Sequence, residues 1–340
     1  MPTIHDVAKK AGVSVRTVSR VMNKPEIVSL ETTRNVLKVI EKLGYQPSQV
    51  ARSLVRKKTN TIGIVMPDIK NTFFNSWYRS VETCAARFGY TTLLCSTDED
   101  PIIEMKFVRL FQAHRVDGIL IVPRSFESVK YLLKSKTVTV LVDRWYDGVK
   151  VDFVTTDHYD GALKLTKYLI DQGHRKIGVL TGPEDLFPSR ERYRGFCDAM
   201  RMNGVKVISE FVANCDFKEA NAFEWVGRML EGKDRPTALF SFNSLMTIGA
   251  IKAINARGMK IPEDISLVCY DQIPGNDIFN PKITHVLQPI EELGSQATRI
   301  LLEKIEDPKL EGTVTVLLKP ELVLGNSCKT VLASSEGYQG

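Results

Sequence analysis

Residues 3–23 read Thr3-Ile4-His5-Asp6-Val7-Ala8-Lys9-Lys10-Ala11-Gly12-Val13-Ser14-Val15-Arg16-Thr17-Val18-Ser19-Arg20-Val21-Met22-Asn23. The stretch divides into two short helices around a turn. The Thr3 hydroxyl can accept from a backbone N–H left unpaired in a first turn, so Thr3 caps a helix from Ile4 to about Ala11, with Ile4, Val7 and Ala8 on its inner side. Gly12-Val13 turns the chain. Ser14 caps a second helix, Val15 to about Met22, whose Val18, Val21 and Met22 face inward. Asn23-Lys24-Pro25 stops it, because proline cannot extend a helix. A third helix is capped by Ser29, carries Val36, Leu37, Ile40 and Leu43 at helical spacing, and ends at Gly44. Two helices joined by a three-residue turn containing glycine form the helix-turn-helix pattern.

The second helix leaves a distinctive set of residues outside. Arg16 and Arg20 lie four apart and share a face, with Ser19 beside them and Val15 at the leading edge. In a major groove an arginine donates two hydrogen bonds to guanine O6 and N7, and a valine can touch a thymine methyl. Ser14, Thr17 and Ser19 are short donors suited to phosphate oxygens. The duller alternative is a merely solvated helix face. Charge favours the first reading: residues 1–58 contain twelve Lys and Arg against four carboxylates, whereas the remaining 282 residues hold 34 basic and 36 acidic side chains. A basic head on a nearly neutral body points to a polyanion partner, since neutralising phosphates releases counterions.

The run from Thr3 to Asn23, continued through Gly44-Tyr45-Gln46-Pro47 and Ser48-Gln49-Val50-Ala51-Arg52-Ser53-Leu54, resembles the head of the lactose/galactose-repressor family of bacterial transcription regulators. The resemblance implies that residues 15, 16 and 20 read bases. Many relatives carry a small residue where this chain has Arg16, so the operator sequence is not carried over. Ser48 to about Arg56 is too short to be a stable helix alone in water. Leu54 has little core to join, and Arg52, Arg56, Lys57 and Lys58 surround it with charge, the make-up of an apolar wedge that unstacks a minor-groove base step. In the family this segment is the hinge helix, folded only when paired with its dimer mate on DNA, and Leu54 resembles the inserted leucine.

From Thr59 onward apolar runs alternate with amphipathic segments. Strands are expected at Ile62–Met66, Thr92–Cys95, Gly118–Val122, Val138–Val142, Lys176–Leu180, Ala238–Phe242 and Ile265–Tyr270. Helices are expected at Asn75–Phe88, Ile102–Ala113, Asp160–Gln172, Arg190–Asn203, Glu219–Leu230 and Leu245–Arg257. Such alternation means parallel sheets covered by helices on both faces. The length fits two sheets, and an internal echo (Ile62-Gly63-Ile64-Val65-Met66-Pro67 and Ile177-Gly178-Val179-Leu180-Thr181-Gly182) agrees. The resemblance extends to about residue 328 and implies a periplasmic-binding-protein-like pair of lobes, with crossings near 157–159, 285–289 and 317–320. The expected organisation is a helix-turn-helix head (1–46), a hinge helix (47–58), an effector-binding and dimerisation body (59–330) and a short tail (331–340). Within the body the first lobe takes about 59–157 and 289–317, the second about 158–285 and 318–330.

Ligands of such folds lodge at the carboxyl ends of the strands, so the residues just after strands matter. Asp68, Asn71, Phe73 and Phe74 follow the first strand, Asp143 and Arg144 the fourth. Ser189, Arg190 and Arg192 open the helix after the fifth, Phe217 follows Asp216, and Asn243 and Asp271 end the last two. A sugar needs apolar faces stacked on aromatics and polar side chains for its hydroxyls. By resemblance, Arg192, Asn243 and Asp271 match positions that bind effector polar groups, Phe73 and Phe217 match stacking positions, and Asp143 and Arg190 join them. Each has a structural alternative: Asp143–Arg144 as an ion pair, Phe74 as core, Asp271 as a helix cap. Residues 123–126 and 186–189 are expected to set selectivity.

No Walker A loop, G-x-G-x-x-G, G-x-S-x-G or H-E-x-x-H occurs, and the six cysteines show no C-x-x-C or zinc spacing. No enzyme, cofactor or metal is expected. With no apolar run near the ~18 residues of a membrane span and no signal-peptide pattern at the start, the expectation is a reduced, cytoplasmic protein. The reading is a repressor of carbohydrate-utilisation genes, a homodimer on near-palindromic double-stranded DNA, controlled by a small effector, first of all a sugar. A purine-responsive regulator is the alternative, and a sugar-binding protein or enzyme the remote one. The last ten residues carry no heptads, which favours a dimer over a tetramer.

Overall fold

The computed structural model describes residues 2–45, 58–278 and 280–331. The expected hinge segment, with Arg52 and Leu54, and the tail beyond Val331 lie outside the described residues. The chain forms two compact units, a head up to Thr59 and a body from Asn60.

In the head, α1 (Ile4–Ala11), α2 (Val15–Asn23) and α3 (Leu30–Leu43) surround one small core. Thr3 and Asp6 close a reciprocal cap on α1: the Thr3 hydroxyl accepts from the Asp6 amide, and the Thr3 amide donates to the Asp6 carboxylate at 2.8 Å. Those bonds hold the Asp6 carboxyl below its ordinary range. Gly12 turns left-handed at φ +68° to end α1, a conformation that costs a residue with a Cβ about 1 kcal/mol or more. Val7, Ala8, Ala11, Val18, Val21, Val36 and Val39 form the core, and the Asn35 amide ties α3 to the Ala11 carbonyl at 3.0 Å. Leu37 differs from expectation: it is 50% exposed, and Val39 is buried instead. On α3 the inner stripe runs Val36, Val39, Ile40, Leu43, and residue 37 lies about 100° round the helix from residue 36.

The body contains two six-stranded sheets. The first comprises β1 (Thr61–Met66), β2 (Thr91–Ser96), β3 (Gly118–Ile121), β4 (Val138–Val142), β5 (Asp152–Thr156) and β11 (Thr315–Leu318), in the order β11-β5-β4-β3-β1-β2. The second comprises β6 (Ile177–Thr181), β7 (Val212–Asn214), β8 (Ala238–Ser241), β9 (Ser266–Tyr270), β10 (Thr284–Leu287) and β12 (Glu321–Val323), in the order β12-β10-β9-β8-β6-β7. All pairings are parallel except β10 with β12. Helices α4 (Thr72–Arg87), α5 (Pro101–Ala113), α6 (Phe126–Ser135) and α11 (Ile290–Glu306) cover the first sheet. Helices α7 (His158–Asp171), α8 (Phe187–Met202), α9 (Glu219–Met229) and α10 (Ser244–Ala256) cover the second. The chain passes between sheets after Thr156, Leu287 and Leu318.

The two echoing segments are β1 and β6, which hold equivalent places in their sheets. Their glycines share a physical purpose: a Cβ on Gly63 would lie 2.4 Å from the Phe111 ring, and one on Gly178 would lie 2.7 Å from Leu239. Each lets a large side chain sit directly on the strand. In the body the expected strands and helices all form, but β5, β7, β10, β11, β12, α6 and α11 were not anticipated. β5 is polar at Asp152, Thr155 and Thr156 yet fully buried, because Asp152 receives Lys304 Nζ and the Val314 amide, each at 2.8 Å. Those donors come from residues more than 150 positions away, so the strand carries no local apolar signature.

Candidate functional sites

In the head, α2 presents Arg16 and Arg20 to solvent, and among the described residues no side-chain hydrogen bond or ion pair engages either guanidinium. Ser14 and Thr17 are committed locally: the Ser14 hydroxyl accepts from the Thr17 amide at 3.1 Å and the two hydroxyls lie 2.9 Å apart. Ser19 receives Asn23 Nδ2 on its carbonyl at 2.8 Å. Val15 is half-buried against the head core, which fixes the first turn of α2. The helix therefore holds two free cations on one rigid, capped face.

In the body, a small cavity of about 40 Å³ lies between the two sheets' carboxyl ends, lined by Phe73, Asp143, Arg144, Arg192, Phe217, Asn243 and Asp271, with Asn71, Phe74, Glu99 and Pro188. That volume lies well below the ~300–1,000 Å³ common for ligand sites, so a ligand enters only as these side chains move apart. Asn71 caps α4 by accepting from the Phe73 amide, setting Phe73 and Phe74 edge-to-face at 5.1 Å. Both rings are buried in the first-lobe core as well as bordering the cavity. Asp143 (φ +63°), Phe217 (φ +58°) and Asp271 (φ +101°) all hold left-handed backbone. Such conformations are costly for residues with side chains and cluster at functional sites. Phe217 is wedged over Gly182, where a Cβ would come within 2.3 Å of its ring.

A buried polar chain joins the lobes. His158, at the first crossing, donates from Nε2 to Asp143 Oδ1 at 3.0 Å, and its Nδ1 accepts from Arg192 Nε at 3.4 Å. Arg192 also donates to the Phe242 carbonyl, lies 3.8 Å above the Tyr270 ring and faces Asp271 Oδ2 at 4.0 Å. Gln288 Nε2 donates to Asp271 Oδ1. Burial and the Arg192 charge push the His158 pKa down, so it is neutral. Burial pushes the Asp143 carboxyl up, but the His158 bond and the charges of Arg192 and Arg144 bring it below its ordinary range. Asp271 is different: burial raises it to about 6 against the pull of Arg192. Arg144 is paired with Glu99 at 2.6 and 2.8 Å, while its buried Nε finds no partner among the described residues.

Several expectations need correcting. Arg190 does not join the cleft group; it is exposed, donates to the Asp185 carbonyl at 3.3 Å and stands 3.8 Å from Asp147. Two residues, about 200° round the helix, separate Arg190 from Arg192, so Arg192 faces the cleft and Arg190 the rim. Asp143 and Arg144 do not pair with each other, and Asp271 caps no helix. Asp68 accepts from the Lys70 amide and does not line the cavity. Asn243 has a double role, since its Oδ1 caps α10 by accepting from the Met246 amide at 2.8 Å and its Nδ2 donates to the Phe217 carbonyl at 3.2 Å. Glu99 was missed, and His158 was expected only in a hinge or packing role near a lobe crossing. Only the placement of His158 beside a lobe crossing could have signalled it; Glu99 sits in an acidic loop with nothing local to mark it.

A basic helix-turn-helix and a two-lobed body with a polar, aromatic cleft define a ligand-responsive DNA-binding regulator. Comparison agrees. Residues 3–48 match the bacterial regulatory proteins of the lacI family, and residues 166–328 match a periplasmic binding protein-like domain. The chain is 35% identical over 336 residues to the HTH-type transcriptional repressor PurR of Haemophilus influenzae strain PittEE, covering 98% of this chain and all of that one. Among solved structures, it resembles the lac repressor dimer bound to operator and the anti-inducer ONPF, at TM-score 0.86 and 26% identity over 96% of this chain and 99% of that one. It also resembles the transcriptional regulator CelR in complex with cellobiose, at TM-score 0.73 and 27% identity over 96% and 100%. The chain belongs to the lacI family of bacterial regulatory proteins, as an effector-controlled DNA-binding transcriptional repressor.

Proposed function

We propose that the effector is a neutral sugar held by Asp143, Arg192, Asn243 and Asp271 between the rings of Phe73 and Phe217. The carrying observation is the Asp143–His158–Arg192–Asp271 chain, of which Asp143, Arg192 and Asp271 line one cavity with groups from both lobes. Carboxylates accept only, so they call for O–H donors, and each sugar hydroxyl supplies one. With His158 neutral, Glu99, Asp143 and Asp271 outnumber Arg144 and Arg192, an excess of one negative charge that disfavours phosphorylated or acidic ligands. The three phenylalanines favour a second reading, a planar purine, but a purine offers fewer donors to these carboxylates.

In this reading Val15, Arg16 and Arg20 contact bases, Ser14, Thr17 and Ser19 contact phosphates, and a homodimer reads two half-sites of a near-palindrome. Arg52 and Leu54 act in the hinge segment 47–58. The protein works in the cytoplasm, as a regulator without catalysis. Among the described residues no helix is long and apolar enough to cross a membrane. A sugar acts only through its different affinities for the two lobe arrangements, and DNA changes sugar affinity by the same factor. The test is a thermal-shift and calorimetric panel of neutral sugars, sugar phosphates and purine bases against the full chain and Arg192→Ala. Neutral sugars should bind the parent, and at least tenfold more weakly the variant. Binding of a purine base with no response to any sugar refutes the reading.

A further inference from the structure

Residues 185–190 belong to the second lobe, where they end the loop after β6 and form the first turn of α8, yet three of their side chains find partners in the first lobe. Asp185 Oδ2 receives Arg124 Nη1 at 2.6 Å. The half-buried Phe187 ring stands edge-on to Phe153 at 5.8 Å, packed on the first-lobe cluster that Trp145 also borders and not on the second-lobe core. Arg190 Nη2 lies 3.8 Å from Asp147 Oδ2. The backbone of the segment stays with its own lobe: the Leu186 amide donates to the Pro183 carbonyl at 3.2 Å, and the Ser189 hydroxyl to the Gly182 carbonyl at 2.8 Å. The receiving side is fixed as well. The amides of Arg124 and Ser125 donate to the fully buried Glu104, Arg124 Nε lies 3.8 Å from Glu99, and Trp145 lies 5.1 Å from Phe153.

An anchored turn that seats one aromatic ring in the facing lobe, with an ion pair on either side of it in sequence, has the make-up of a latch. We propose that residues 185–190 latch the lobes together and so set how readily the cleft opens. The cavity behind them, at about 40 Å³, takes nothing of ring size until the lobes draw apart. Drawing them apart lifts Phe187 from its apolar seat and breaks Arg124–Asp185, while the bonds inside each lobe survive. Exposing the ring forfeits hydrophobic burial, whereas ion pairs this open to water contribute little. Phe187 therefore holds the lobes, and the two pairs align it. Pro188, in the same turn, lines the inner cavity, so an effector lodged there touches the latch itself. The device does not depend on whether that effector is a sugar or a purine.

The experiment uses the full chain carrying Trp77→Phe and Trp225→Phe, so that Trp145 is its one tryptophan. Acrylamide quenching of its emission reads access to the seat, and small-angle X-ray scattering reads separation of the lobes. Phe187→Ala should raise the quenching constant roughly twofold or more and increase the radius of gyration. Asp185→Arg, which does not touch Trp145, should raise the constant by a smaller factor, and adding Arg124→Asp should bring it back. That recovery also excludes a folding defect in the single variant. In about 1 M NaCl, where the Debye length is only ~3 Å, the Asp185→Arg effect should vanish and the Phe187→Ala effect should remain. A quenching constant that Asp185→Arg leaves unchanged, or that the added Arg124→Asp fails to restore, overturns the latch. So does a Phe187→Ala effect on quenching with no change in the radius of gyration, which would mark a local loss of cover over Trp145.

Discussion

Replacing Asp271 by asparagine should make the ligand-free protein more stable and the effector bind less well. Burial raises this carboxyl from 3.8 to about 6 despite Arg192 nearby, and its exposure is only 7%. The folded-state pKa lies above the unfolded one, so folding is penalised by ionisation, and the penalty grows as pH rises from about 4 to about 6 and then stays constant. Two pKa units correspond to about 3 kcal/mol above pH 7, and linkage gives about 1.5 kcal/mol at pH 5. Asparagine imitates the neutral acid, and its Oδ1 can still accept from Gln288 Nε2. Asp271→Asn should therefore gain about 3 kcal/mol at pH 7.5 and about half that at pH 5. Urea unfolding of both proteins at the two pH values, followed by far-UV circular dichroism, measures the gap. If the variant is no more stable at pH 7.5, or the gap fails to shrink at pH 5, the desolvation argument is wrong. A gain in stability with a loss in sugar affinity would mark Asp271 as a residue kept for function.

Other expectations concern the head and the packing of the lobes. Arg20→Ala should cost roughly 1–3 kcal/mol of operator affinity and relax preference at one base pair, read by fluorescence anisotropy on operator variants. Thr3→Ala removes the α1 cap and should cost about 1 kcal/mol, seen as faster hydrogen exchange of the Asp6 and Val7 amides. Gly195→Ala places a Cβ 2.4 Å from the Tyr159 carbonyl, where α8 crosses α7. It should destabilise the second lobe by about 1–3 kcal/mol, read by the same urea titration.

How much was legible depended on where each signal lies. The three head helices could be read because caps, turn glycine and apolar spacing are all local: Thr3, Gly12 and Ser14 act within a few residues of themselves. The central strands were equally readable, since being covered on both faces forces a continuous apolar run. The peripheral β7, β11 and β12 are short or partly exposed, and β5 is polar, so local composition did not mark them. At the cleft, strand ends directed attention to Asp143, Arg192, Phe217, Asn243 and Asp271, which do line one cavity. Arg190 failed because two residues along a helix is more than half a turn, and which of two nearby arginines faces inward is set by the neighbouring strands.

The amino-acid sequence by itself determined the charged, capped reading helix, the alternating architecture of the body and the family, because each is written in residues close together along the chain. Tertiary structure alone decided that Asp143 accepts from His158, which in turn accepts from Arg192, rather than pairing with Arg144, that Glu99 reaches the cleft, and that burial raises the Asp271 carboxyl to about 6. Those outcomes depend on desolvation and on charges brought together from distant segments, and a local run of sequence contains neither.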